Sequence, residues 1–297
     1  MSSNIIINKT NVVNQGNNRL IYKFPSTIEF NKGDQICLSH LNVFFSWFNI
    51  TAKNLNNFFQ YKWFDDNGDL TEIFDILIPD GYYSIESLNE FIMSIMVANN
   101  HYLINSNGDY GYFIEIITNE TYYSVEFRLS SISTNMTVDG VVHDITTSSQ
   151  LSIPGTWKPP LIGFQTPQII IPSNSKFGEL IGFNHGIIDI DTSLDIINKQ
   201  YSIPNQKLPV LDPSSSFIIC CNMISNIMAI PDNILNSFCV IPNTRFGDLI
   251  SGVDNLVYCD IKPGHYDHIQ LDIFDQNFER LQILDNNMLL ILSIIKI

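Results

Sequence analysis

The residues best suited to chemistry are His265-Tyr266-Asp267-His268, six positions after Cys259. Two imidazoles, a carboxylate and a thiol are zinc ligands by type, but a site forms only where all of them converge on one point. In a turn between strands the same residues are an ordinary exposed loop, and the spacing favours that reading. Asp189, Asp191 and Asp195 offer oxygen ligands of the kind calcium takes. Two of them would share a strand face, where solvent relieves their repulsion equally well. Asp65, Asp66 and Asp69 lack calcium-loop spacing and fit a polar hairpin tip.

Nucleophilic chemistry needs an activated group. The cysteines are Cys37, Cys220, Cys221, Cys239 and Cys259, and none has a helix-start or Gly-rich context that would lower its pKa. Gly-x-Ser-x-Gly, His-Glu-x-x-His, a phosphate-binding Gly loop and Cys-x-x-Cys are all missing. No catalytic, cofactor-binding or metal-binding residue is assigned, no cofactor is expected, and the chain is expected not to be an enzyme. An odd cysteine count without framework spacing fits a reducing compartment.

The elements around these residues are dictated by composition. The 297 residues include 47 Ile, 33 Asn and only 3 Ala, with 45% hydrophobic and 15% charged residues. Ile, Phe and Tyr suit strands, Asn suits turns, and scarce Ala argues against a mostly helical protein. The low charge excludes a disordered chain. A net charge of −15 argues against general nucleic-acid binding. The charge is uneven: residues 1–53 carry Lys9, Arg19, Lys23, Lys32 and Lys53 against Glu29 and Asp34. A basic segment of that kind faces a polyanion or is simply solvated. MSSNIIINKT does not read as a signal peptide, and the apolar run Met288–Ile295 is about half a membrane span.

Strand-like runs dominate: Arg19–Phe24, Gln35–Ile50, Asn57–Phe64 and Leu70–Ile78, then, after Ser215, Phe217–Met223, Ser237–Ile241, Leu256–Ile261, His268–Phe274 and Met288–Lys296. Asn67-Gly68 marks a hairpin turn. A second hairpin is predicted from Tyr110–Thr118 and Tyr122–Leu129, with Tyr123, Val125, Phe127 and Leu129 on one face. One helix is predicted behind Ser84, where Ile85, Leu88, Phe91, Ile92, Ile95 and Met96 form an apolar stripe. The aromatics of Phe44–Phe48 and Phe58–Phe64 would point to both sides of their strands, either covered within the fold or buried by neighbouring subunits. Lys176–Gly182 is echoed by Arg245–Ile250, each after an Ile-Pro pair, as though one strand-to-turn corner recurs.

The three strand regions before residue 66 and the five after Ser215 make the jelly-roll count. The predicted fold is mainly β: a single jelly-roll β-sandwich with an inserted, mostly β domain carrying one helix. The expected division is 1–65 and 211–297 for the jelly roll, with 66–210 inserted.

Three blocks, taken in order, carry a resemblance: Ile78-Pro79-Asp80-Gly81-Tyr82-Tyr83-Ser84-Ile85-Glu86-Ser87-Leu88, then Lys176–Phe183, then Leu271–Asp275 with Met288–Ile297. In these the chain resembles the penton (minor capsid) proteins of virophages and the related polinton-like viruses. The resemblance implies a homopentamer at the fivefold vertices of an icosahedral capsid, ringed by trimers of a double-jelly-roll major capsid protein. It implies localisation in the virion, with assembly in the host cytoplasm and no membrane. It brings no catalytic residues. Packaged DNA is a further expected partner, through Lys9, Arg19 and Lys23. The alternative is a carbohydrate-binding or host-attachment jelly roll, with Trp157 and the Tyr-rich hairpin stacking on sugars.

Overall fold

A computed structural model describes residues 2–14, 18–138, 141–188, 200–212, 214–225, 231–239, 245–253 and 255–297. Asp189, Asp191, Asp195 and the Val240-Ile241-Pro242 lead-in lie outside the described residues. The longer elements are numbered in chain order. Three strands come first: β1 (Ser2–Ile7), β2 (Arg19–Phe30) and β3 (Gln35–Phe44). Next come β4 (Phe58–Phe64), β5 (Leu70–Leu77), helix α1 (Ile85–Ala98), β6 (Ile114–Asn119) and β7 (Ser124–Ser130). β8 (Gln168–Ile171), helix α2 (Phe177–Ile181), β9 (Gly186–Ile188) and β10 (Gln200–Pro204) follow. The last are β11 (Ser216–Cys221), β12 (Ile234–Cys239), β13 (Leu249–Ser251), β14 (Gly264–Asp275) and β15 (Leu289–Ile295).

The chain forms two compact units, Met1–Phe48 with Ser214–Ile297, and Asn49–Pro213. In the first unit, eight strands pair as a long antiparallel ribbon folded on itself. The first pairs with the eighth (β1·β15), the second with the seventh (β2·β14), the third with the sixth (β3·β13) and the fourth with the fifth (β11·β12). Rolling that ribbon adds β15·β3 and β14·β11. The resulting sheets run β1-β15-β3-β13 and β2-β14-β11-β12, which is the jelly roll. A bulge keeps the first sheet in register with its core: Ser39 is the extra residue between the pairs His40↔Ile291 and Leu38↔Leu292. Its hydroxyl donates to the Ile291 carbonyl at 3.0 Å, and both Leu38 and Leu41 stay buried.

The eight strands are not the eight expected ones. Ser2–Ile7, unassigned from sequence, is the first strand. Phe58–Phe64 belongs to the other unit, so the division falls after Phe48 and not after residue 65. The sixth strand is Leu249–Ser251; of Leu256–Ile261, Cys259–Asp260 pairs against the far end of β3 and Ile261 makes an isolated bridge to Ile224.

The second unit is built on the sheet β9-β8-β4-β5. Along β4, Phe59, Tyr61 and Trp63 are fully buried while Phe58, Gln60 and Lys62 are half-buried, and a register shift at Trp63/Phe64 turns Phe64 inward as well. Four of the five aromatics therefore serve one face, and Phe58 lies on the other. Phe59 stacks on Phe177 at 4.5 Å, and Phe127 of β7 packs beside both Phe59 and Phe183. Helix α1 starts where its cap predicts: the Ser84 hydroxyl accepts from the Ser87 N–H, and Ile85, Leu88, Ile92 and Met96 are buried.

The second hairpin forms between β6 and β7, with Val125, Phe127 and Leu129 buried. Tyr123 departs from their face; it sits in the turn with φ +49 and its ring outside. The repeated corner takes two forms. Lys176–Gly182 is a short second helix, closed by Gly182 at φ +82, where a side chain would strike the Lys207 carbonyl. Arg245–Ile250 is instead a turn, with Asp248 N–H donating to the Arg245 carbonyl, leading into β13.

Candidate assembly surfaces and the dispersed reactive groups

His265, Tyr266, Asp267 and His268 lie within strand β14, not in a turn. The register of β14 on β2 shifts between Tyr266 and His268, where Asp267 stands opposite residues 24–27, so the extra residues of this irregularity lie on β2. Among the described residues, His268 bonds to its neighbour, Nδ1 to Asp267 Oδ1 at 2.6 Å. Cys259 is half-buried elsewhere, its sulfur near the carbonyls of Ile234 and Leu235. Among the described residues, no three His, Cys, Asp or Glu side chains converge on one point.

The thiols are poorly disposed to attack. Burial pushes Cys220 up to about 11 and Cys221 up to about 12, and it raises Cys259 too. Cys37 is buried and Cys239 is exposed. Asp65 is a turn-maker: its carboxylate accepts the N–H groups of Asp69 and Asn67, which hold it below the usual carboxylate range. Trp157, a candidate for sugar stacking, is buried and donates its indole N–H to the Asn100 carbonyl at 2.7 Å. Tyr110, Tyr122 and Tyr123 remain exposed.

His101 was not legible in the sequence. It is buried, stacked on Trp63 at 4.6 Å, edge-on to Phe74, and bonded through Nδ1 to the Tyr61 hydroxyl at 2.7 Å. Asn99 donates to that hydroxyl at 2.8 Å. Desolvation pushes His101 down to about 3 and raises Tyr61. A neutral imidazole accepting from a neutral phenol is a core polar link. The same unit has an open groove of about 370 Å³ beside the first turns of α1, lined by Glu86, Asn89, Glu90 and Arg128 over Ile85 and Ile116.

The two sheets of the jelly roll differ outside. On the β2-β14-β11-β12 sheet, Arg19 pairs with Asp272 at 2.6 Å, Arg280 approaches the same carboxylate at 3.5 Å, and Gln270 donates to its other oxygen. Arg19 is therefore held by its own fold, and the N-terminal basic segment is largely strand. On the β1-β15-β3-β13 sheet, none of the four strands contains Asp, Glu, Lys or Arg. Their inward residues, such as Ile7, Leu38, Leu290 and Leu292, are the core. The alternate residues put Ile6, Ile291, Leu289 and Ile295 outside, beside Phe44 and Leu249, which face each other across β3 and β13. Ile6 is 51% exposed, Leu249 49% and Phe44 40%. The one charge on this sheet among the described residues is Asp260, on the two-residue strand at its margin, where Gln35 donates to it. Leu256, Val257 and Tyr258, all exposed, lie just before that strand. Antiparallel sheets facing water normally alternate apolar inside with polar outside. The second sheet carries Arg19 and Asp272 on its outer side beside Ile21, Ile218 and Phe274, whereas the four main strands of the first carry no such charge.

Fold and surface together define the class: a jelly roll interrupted after its third strand by a second compact unit, with one outer sheet face whose main strands hold no Asp, Glu, Lys or Arg and mix apolar residues with Ser, Asn, Gln and His40. No protein-family model and no curated protein matches the chain. Among solved structures, it is similar over its full length to the crystal structure of the mavirus penton protein, at 13% identity and a TM-score of 0.45, with 99% of that chain covered. It is similar also to a chain in the 3.5 Å cryo-EM structure of the Sputnik virophage, at 11% identity and a TM-score of 0.42, with 97% of that chain covered.

Proposed function

We propose that this protein is a structural component of an icosahedral virophage capsid, acting as a homopentameric penton at the fivefold vertices. The uncharged outer face of the first jelly-roll sheet carries the reading, because a sheet of that composition is built to be covered. The sequence blocks that resemble virophage pentons support it. A ring of identical subunits uses heterologous contacts, one patch meeting a different patch on the next copy, and closes after five.

On this proposal the jelly roll makes the ring and meets the major capsid protein, while Asn49–Pro213 projects outward. Charge is distributed accordingly. The inserted unit has 7 basic and 19 acidic residues, net −12, whereas the jelly roll has 8 and 11, net −3. Lys9 and Lys23 are the basic residues available to a packaged genome, since Arg19 is tied to Asp272. The virion is its proposed location, after assembly in the host cytoplasm.

Co-expression with the major capsid protein tests the vertex role. Closed shells with density for this chain at the fivefold positions are expected; shells that close without it would contradict the role. The exposed tyrosines Tyr110, Tyr122 and Tyr123 favour one second reading, glycan attachment. Binding of the full chain to a glycan array, lost in Tyr122→Ala, would support it.

A further inference from the structure

We infer that the outer face of the β1-β15-β3-β13 sheet is the surface through which copies of this chain associate. The inference rests on the proposed ring and names the face that builds it. Its occupant is a second copy of the chain, for an electrostatic reason. Each copy carries a net charge of −15, so most approaches bring like charges together. The strands of this sheet hold no Asp, Glu, Lys or Arg at all, so a second acidic copy settles here without burying an unpaired carboxylate.

The polar residues of the face point the same way. Its Ser, Asn and Gln side chains can bond across a contact without a counter-charge, and Ser293 and Asn4 already bond to each other at 2.7 Å. The apolar members Ile6, Leu289, Ile291, Ile295, Phe44 and Leu249 cover the sheet from one edge to the other. A four-stranded face of this length measures about 20 Å each way, roughly half of what each partner gives to a standard interface. The Leu256–Tyr258 run is exposed as well, with Tyr258 bonded to the buried Cys37 of β3. The opposite sheet differs in charge, because its outer face carries the Arg19–Asp272–Arg280 group.

The experiment compares native masses of the full chain and four variants at micromolar concentration, with far-UV circular dichroism of each. Ile6→Asp and Leu249→Asp place a carboxylate on opposite edges of the face, at residues about half exposed, where folding tolerates it. Ser237→Asp does the same on the exposed outer side of the other sheet. Leu249→Met keeps the face apolar. The expected result is an oligomer for the wild type, Ser237→Asp and Leu249→Met, with association roughly a hundredfold weaker in the two face variants and their β spectra unchanged. If both face variants fold and stay oligomeric, the face is wrong and the ring can stand on another surface. If they dissolve a wild-type oligomer that is not a pentamer, the face stands and the fivefold ring falls. A wild type that is monomeric at tens of micromolar overturns the face.

Discussion

The indole N–H of Trp47 donates to the carbonyl of Ser214 at 3.2 Å, linking two residues 167 positions apart. Trp47 is buried against Phe45 and Phe217, and Phe48 and Ser214 are the last and first residues of the jelly-roll unit around the insertion. The two points where the chain leaves and re-enters the jelly roll are therefore held side by side.

A short linker can close that gap. Replacing Asn49–Pro213 by a few Gly and Ser residues is expected to leave a folded β protein that still assembles. Circular dichroism and native mass check it, and loss of the oligomer on deletion would mean that the insertion is part of the ring.

The His101–Tyr61 link predicts an acid sensitivity of the inserted unit. The folded value near 3 lies below the ordinary 6.5, so between those values the unfolded chain binds a proton that the folded one does not. Stability therefore falls as pH drops from about 6.5 towards 3, by up to about 1.4 kcal/mol per pH unit from this group. Denaturation midpoints at pH 7, 5.5 and 4 should show the slope, and His101→Gln should flatten it. Tyr61→Phe, which leaves the buried imidazole nitrogen unpaired, should cost about 1–3 kcal/mol at pH 7.

Arg19→Ala should behave as a stability variant, not as a genome-binding one. It strips the closer of two guanidinium groups from Asp272, and the pair is only partly buried, so a loss of about 1 kcal/mol is expected. Lys9→Ala with Lys23→Ala should leave the denaturation midpoint unchanged. Unaltered DNA content in particles carrying that double variant would remove the genome from the list of partners.

Gly182→Ala should destabilise the inserted unit by more than about 1 kcal/mol. The position needs φ +82 and has no room for a side chain against the Lys207 carbonyl. Gly163→Ala, at φ +73 in open space, carries only the backbone cost and separates the two contributions by comparison.

Thiol labelling of the native chain should show one fast group, the exposed Cys239, with Cys220 and Cys221 reacting only on unfolding. A fast second thiol would reopen a nucleophilic role.

Local patterns carried the sequence reading where neighbours in the chain decide the structure. The Ser84 cap, the apolar stripe of α1, the Asn67-Gly68 turn and the Val125–Leu129 alternation are all local, and all appear. Membership of the jelly roll depends on pairing between distant segments, and there the patterns misled. Phe58–Phe64 looks like any sandwich strand but pairs with Leu70–Leu77 and Gln168–Ile171 in the other unit. Ser2–Ile7 looks like a tail because, as an edge strand, it fully buries only Ile7. Lys176–Gly182 and Arg245–Ile250 share letters but not surroundings, so one closes as a helix and the other opens into a strand. His101 is surrounded by rings from β4 and β5, which no spacing near residue 101 reveals. The uncharged face was written in four separate segments and became one surface only through the pairing of β1, β15, β3 and β13.

The native mass of the purified full-length protein tests the central claim most directly. A chain of 33.8 kDa closing a fivefold ring is expected at about 169 kDa. A mass near 101 kDa, three copies, would contradict the penton account and point to a trimeric spike.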